Sequence, residues 1–318
     1  LASNKYAPAL ITGNTIVLKP AATTPLTTLE LGRLAADIFP RGVFNIVADN
    51  NDLGARLAGH PDIAKVSFTG STNTGKAVLR SAADDMKRVT LELGGNDPAI
   101  VLADANVEAA ARGLAATAFL NAGQVCAAPK RLYVADQIYD DFRERFVTAT
   151  REIRMGAGDE DGVTLGPVQN RMQFDKVRGM IEEAAASGTV LTGGHVANRP
   201  GFFIEPTIIA DLDDQAPLVT DEQFGPVVPL LRFTDEADAI ARANEGAFGL
   251  GASIWTRDID RARQLARGIT AGSVWINQHI AIHPDIPFGG VKQSGLGSEG
   301  GIEGVYEYTR LQVINAAG

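Results

Sequence analysis

The feature that most constrains the fold is an alternation along the first ninety or so residues, where short β-branched runs are separated by amphipathic stretches of helical period. Residues 15–18, 42–47, 65–68 and 88–91 have the composition of strands. Residues 25–38, 52–59 and 74–83 read as helices, with a cap or a proline near their starts. Strand, helix and strand at this spacing predict right-handed βαβ units and a parallel sheet, an architecture of dinucleotide-binding type. A second αβ series follows Gly94-Gly95. It predicts helices over 138–152 and 170–186, strands over 252–255 and 273–276, and a loose glycine-rich loop over 155–167. The double glycine is the expected hinge. The expected domains are therefore 1–93, 94–297, and a C-terminal helix and strand over 298–318, the strand being residues 308–314. Residues 1–10 read as helix without a start signal, so the chain is expected to be truncated at its N-terminus.

Two groups in this framework carry chemistry. Glu92 sits in the apolar run Val89-Thr-Leu-Glu92-Leu-Gly-Gly95, where lost hydration should raise its pKa and make it a general base. Cys126, the only thiol, sits in Gly123-Gln-Val-Cys126, and the residues after it look helical. Backbone N–H groups at a helix start favour a thiolate, which would make Cys126 a nucleophile. A lone cysteine is equally a small buried hydrophobe, and a glutamate in an apolar run is equally a salt-bridged one. With the hinge at the double glycine, the two would face each other across an interdomain cleft, where small-molecule sites tend to lie.

Bulk properties narrow the partners. A net charge of −9 and a pI near 5.0 argue against nucleic-acid and anionic-membrane surfaces. One cysteine leaves no intrachain disulfide and no CxxC metal site, which suits a reducing, cytoplasmic setting. The four histidines are scattered, so no metal is expected, and no apolar run approaches the ~18 residues of a membrane helix. A small molecule is the expected partner.

Four further segments accompany Glu92 and Cys126 in a fixed order: Val17-Leu-Lys19-Pro20, Phe68-Thr-Gly70-Ser71-Thr-Asn-Thr-Gly75, Glu222-Gln-Phe224-Gly-Pro226, and Pro287-Phe288-Gly-Gly-Val-Lys-Gln-Ser-Gly295. Alone, the second is a weak phosphate-loop signal, equally a glycine turn in which Ser71 caps a helix. Together the six segments resemble the aldehyde dehydrogenase superfamily, of the NAD(P)-dependent, non-CoA-acylating kind, along the whole chain.

The resemblance implies an α/β fold with a Rossmann-like parallel-sheet cofactor domain, an α/β catalytic domain and a C-terminal oligomerisation strand that pairs across a subunit boundary. It implies oxidation of an aldehyde to the free acid. Cys126 would carry a thiohemiacetal and then a thioester, Glu92 would activate the deacylating water, and Glu299 would relay protons, with Ser298 standing where the family commonly has Arg. Lys19, Gly70, Ser71, Gly75, Leu93, Glu222 and Phe224 would bind the cofactor, and Phe288 would line the substrate pocket. The family often has Glu where this chain has Ala22. Without that carboxylate to repel a 2′-phosphate, and with Lys19 to attract it, NADP is expected to be accepted, and NAD too. His279, His283 and Asp285 lend the loop 277–288 a polar character that suits a polar substrate. A homodimer or homotetramer is implied. The rival readings are a thiol-dependent esterase or acyltransferase using the same Cys126 and Glu92, and a catalytically silent structural or assembly module.

Overall fold

The computed structural model describes residues 1–318. Its contacts separate two compact units, one formed by Leu1–Leu93, Ile282–Gly289 and Gly295–Gly318, the other by Gly94–Ala281 and Gly290–Ser294.

The first unit runs α1 (Ser3–Ile11), β1 (Ile16–Leu18), α2 (Leu26–Ala35), β2 (Phe44–Ile46), α3 (Gly54–Ala58), β3 (Lys65–Thr69), α4 (Thr72–Ala83) and β4 (Arg88–Glu92). The alternation read from the sequence is thus present, as two separate parallel pairs. Leu18 of β1 lies opposite Ile46 of β2, and Thr69 of β3 opposite Glu92 of β4.

The second unit begins with β5 (Asp97–Val101), α5 (Val107–Ala118), β6 (Pro129–Ala135), α6 (Tyr139–Arg151), α7 (Arg171–Ser187), β7 (Thr189–Thr192) and β8 (Thr207–Ala210). It continues with α8 (Pro217–Thr220), β9 (Val227–Phe233), α9 (Glu236–Asn244), β10 (Gly251–Trp255), α10 (Ile259–Ala266) and β11 (Ser273–Ile276). The strands form one sheet in the order β11-β10-β5-β6-β9-β8-β7, parallel except for the β7–β8 pair. Every residue of β5 and β6 is buried, and beyond the charged Asp97, Lys130 and Arg131 at their starts both faces of these strands are apolar. Alternate side chains go to different cores: Ala99, Val101, Leu132 and Val134 meet Leu114, Phe142 and Phe146 of α5 and α6. Ile100, Tyr133 and Ala135 meet Ala239 and Ala262 of α9 and α10. The period of two in a fully buried strand is what places helices on both sides of the sheet. Asn106, Asn170, Asp235 and Asp258 cap the starts of α5, α7, α9 and α10 by accepting a backbone N–H three residues on.

The chain then returns to the first unit. β12 (Gly295–Leu296) pairs antiparallel with the end of β4, Gly295 opposite Glu92, and α11 (Gly301–Tyr306) follows. Residues 282–289 and 295–297, read from the sequence as the end of the second domain, make their contacts in the first unit.

The expected strand over 308–314 is not formed. The residues after 308 have no regular structure, and Leu311, Val313 and Ile314 are 94%, 73% and 84% exposed. A strand exists only through a hydrogen-bonded ladder, and nothing within this chain supplies the second edge.

Candidate active site

Glu92 closes β4 and is only 3% exposed. Its carbonyl accepts the N–H of Gly70 at 3.1 Å, which ties the end of β3 to the end of β4. Ser71 follows as the cap of α4, its Oγ accepting the Thr74 N–H at 3.3 Å. One turn into that helix, a Cβ on Gly75 would lie 2.4 Å from Cδ2 of Leu93, so only glycine lets α4 pack this closely on the residue after Glu92. Glu92, Leu93, Gly70, Ser71 and Gly75 are thereby brought together at one end of one small sheet.

Lys19 lies on the other strand pair of that unit, immediately past β1. Its Nζ donates to Oδ1 of Asp49 at 3.1 Å and to the Pro20 carbonyl at 3.2 Å. The other Asp49 oxygen accepts the Leu53 N–H at 2.9 Å. That backbone donor, aided by Lys19, holds the Asp49 carboxyl below its ordinary range. Asp49 was not singled out from the sequence. Its signal there is an acidic residue just past the second strand of a βαβ unit.

Phe288 and Glu299 form an isolated antiparallel bridge, each backbone N–H donating to the other's carbonyl at 2.7 Å. The buried Glu299 carboxylate is paired with Lys5 and accepts Asn4 Nδ2 at 3.3 Å. Lys5 also donates to Thr69 Oγ1 at 2.8 Å, and Thr69 is the register partner of Glu92. Glu299, Lys5 and Thr69 therefore form a polar chain leading to the strand pair that carries Glu92. Lys5, within the helix 3–11, was missed because a lone lysine in a helix has no distinguishing pattern.

In the second unit the element after Cys126 is a strand, β6, and not the expected helix. Pro129 biases the residue before it away from the helical region, and the run that follows is buried on both faces of the sheet. The helix-start argument for activating Cys126 therefore does not hold. What surrounds its backbone instead is the buried Lys130, whose Nζ donates to the carbonyls of Val125 at 2.6 Å and Cys126 at 3.0 Å. Before the cysteine, Asn121, Ala122 and Gly123 are all left-handed, with φ of 51°, 56° and 69°. A Cβ on Gly123 would come within 2.1 Å of the Gly225 carbonyl. Such consecutive strained residues cost about 1–2 kcal/mol each away from glycine and persist where packing dictates the path, here against the 222–226 segment.

That segment carries the other two predicted groups. Glu222 Oε1 accepts the Gly95 N–H at 2.9 Å, and the Glu222 carbonyl accepts Lys176 Nζ at 2.7 Å. Burial raises the Glu222 carboxyl above its ordinary range, against the opposing pull of Lys130 and the Gly95 N–H. Phe224 is left-handed at φ 49°, and its carbonyl and that of Gln223 are both held by Gln173 Nε2 at 2.9 Å. Cys126, Glu222 and Phe224 are thus brought together within this unit.

His279 proves to be internal. Trp255 Nε1 can only donate, and does so to Ser253 Oγ at 3.0 Å, leaving the serine hydroxyl to donate to His279 Nδ1 at 2.7 Å. The Nε2–H then donates to the carbonyl of Ala127, the residue after the cysteine, at 3.0 Å. Both ring nitrogens are consumed inside the unit, so His279 is no polar wall for a substrate. His283 pairs instead with Asp285, and both are exposed. No cluster of three or more His, Cys, Asp or Glu converges as a metal site, and no helix is long and apolar enough to cross a membrane.

The model of the aldehyde dehydrogenase family matches residues 1–314. The chain is 44% identical over 313 residues to aldehyde dehydrogenase LUC3 of a Fusarium species, covering 98% of this chain and 67% of that protein. It is 42% identical over 315 residues to the NADP(+) succinate-semialdehyde dehydrogenase of Escherichia coli, covering 98% and 65%. Among solved structures, an NADP-dependent enzyme of Escherichia coli superposes with a TM-score of 0.94 at 42% identity, over 96% of this chain and 64% of that one. A betaine aldehyde dehydrogenase of Staphylococcus aureus in complex with NAD+ gives 0.93 at 37% identity, over 96% and 62%. The chain spans about two thirds of the length of these relatives.

Proposed function

This chain belongs to the aldehyde dehydrogenase family, and from that premise we propose that the protein oxidises an aldehyde to the carboxylic acid with NAD(P)+ through a thioester on Cys126. The observation that carries the proposal is the setting of the only thiol: a strained loop stapled by a buried lysine and packed on the segment that holds Glu222 and Phe224.

The first unit fits a dinucleotide. Lys19 emerges past the end of a parallel strand, where doubly wound folds place a ribose, and the Ser71-capped start of α4 presents helix N–H groups suited to a pyrophosphate. Glu222 and Phe224 are assigned to the nicotinamide ribose and ring. When bound, the nicotinamide supplies the hydride acceptor.

The Cys126 thiolate attacks the carbonyl carbon and gives a tetrahedral thiohemiacetal, whose oxyanion the Cys126 backbone N–H helps to hold. After hydride loss, Glu92 takes a proton from the water that attacks the thioester; the carbon–sulfur bond breaks, releasing the free acid and restoring the thiolate. Glu299 and Lys5, reaching the Glu92 strand pair through Thr69, offer that proton a way out. Phe288 is assigned to the substrate side. The exposed apolar tail at Leu311, Val313 and Ile314 supports docking on a second copy, in a cytoplasmic homodimer or homotetramer.

The test is oxidation of a panel of small aldehydes with NAD and NADP. Cys126→Ala should lower kcat by about 10⁴ or more. Glu92→Gln should keep a single burst of reduced cofactor and lose roughly 10²–10⁴ in turnover. A cooperatively folded protein that reduces neither cofactor with any aldehyde would discard the dehydrogenase and favour the thiol hydrolase.

A further inference from the structure

Lys19 was read from the sequence as a free cation that would welcome a 2′-phosphate. In the structure its charge is already matched: its ammonium rests on Asp49, whose side chain is 1% exposed. We propose that Asp49 makes the protein selective for NAD over NADP, supplying from the end of β2 the ribose-binding carboxylate that position 22 lacks. This presupposes the nicotinamide cofactor proposed above.

Placement is the first ground. β1 and β2 are adjacent and parallel with Leu18 opposite Ile46, so Lys19 and Asp49 leave the same end of the pair. In doubly wound folds that end faces the ligand, and an acid past the second strand is where ribose hydroxyls find their acceptor.

Charge is the second ground. A 2′-phosphate carries about −1.5 to −2 at neutral pH. Opposite Lys19 alone it would be attracted. Opposite the Lys19–Asp49 pair it meets no net positive charge and one enclosed carboxylate, which its own backbone donor from Leu53 keeps ionised at neutral pH.

Capacity is the third. A carboxylate offers about four acceptor positions. Lys19 occupies one on Oδ1 and Leu53 one on Oδ2, and the Asn51 N–H is a third donor, so one position remains for a hydroxyl of an unphosphorylated ribose.

Asp49→Asn is the informative variant, because the amide oxygen can still accept the Leu53 N–H while the charge is gone. Binding of NADH and NADPH, measured without aldehyde by nicotinamide fluorescence and calorimetry, reads the effect directly. The native protein should bind NADH about tenfold or more tighter than NADPH, and Asp49→Asn should shift that ratio by about tenfold or more towards NADPH. Adding Ala22→Glu to Asp49→Asn should restore the preference for NADH, which a merely loosened loop would not do. Native binding of NADPH as tight as NADH, or a ratio that Asp49→Asn leaves in place, overturns the assignment. Binding of neither overturns the nicotinamide proposal itself, and this inference with it. If Asp49→Asn does not melt cooperatively, the native ratio decides.

Discussion

β6 of the second unit, which starts just after Cys126, and β3 of the first, which runs into Gly70 and Ser71, are both parallel strands, yet all seven residues of β6 are buried and all five of β3 are only half-buried. The three hydrophobic cores of the molecule lie entirely within residues 99–276. The first unit buries only four alanines together with Leu18, Leu91, Leu93 and Phe288, while Ile11, Leu26, Leu34 and Ile38 are exposed. It relies instead on partly enclosed ion pairs: Lys5 with Glu299, Lys19 with Asp49, and Lys65 with Glu307 at 3.2 Å. One unit holds its chemistry by packing, the other by polar contacts, and perturbations should sort accordingly.

The largest effect belongs to the packed unit. Phe142→Ala, which empties the stacked pair with Phe146 at zero exposure, should cost about 3–5 kcal/mol in a urea unfolding curve. A loss under about 1 kcal/mol would mean that this core is no deeper than the first unit's. Next comes the tightest contact of the first unit. Gly75→Ala should cost about 1–3 kcal/mol by forcing Leu93 aside, and Leu93→Ala added to it should cost less than the sum of the two single changes. Strict additivity would show that α4 can simply move off Leu93.

Smaller still is a pH effect of opposite sign in the two units. The Glu222 carboxyl is raised by burial above its ordinary 4.5, so its ionisation weakens the second unit as pH rises from there through the folded value. The Asp49 carboxyl is lowered below its ordinary 3.8, so its support for the first unit is complete above that value and disappears as pH falls through the folded one. Hydrogen exchange followed from neutral pH into the acid range should show the two units diverging, with Glu222→Gln flattening the one trend and Asp49→Asn the other. Parallel trends would remove the contrast. The smallest effect is expected for Leu34→Ala in the first unit, within about 0.5 kcal/mol, because that side chain is 57% exposed.

What could be read from the sequence follows the same division. β-branched runs and caps located the strands and helices, because both are local signals; Ser71 and Asn170 do cap the helices they precede. What escaped depends on the path the folded chain takes or on distant partners. Lys130 looks like any lysine until the loop before it turns its carbonyls inward, and His279 looked like a pocket residue until Ser253 and Ala127 met it. The stretch after Cys126 looked helical by composition but is drawn into the centre of the sheet, a tertiary preference that overrides a local one. The tail has the composition of a strand, but composition cannot provide the neighbouring edge.

The antiparallel pairing of β12 with β4 also sets an order of events. Gly295 reaches Glu92 only after the entire second unit has left the ribosome. At about 5–20 residues per second, the strand that carries the proposed base waits on the order of ten seconds or more for its last neighbour. The second unit can bury its cores in that interval, and the first cannot be completed until it ends. The unit that is begun first is thus finished last, and a nascent chain stalled before Gly295 would hold a folded thiol-bearing unit beside an unfinished one.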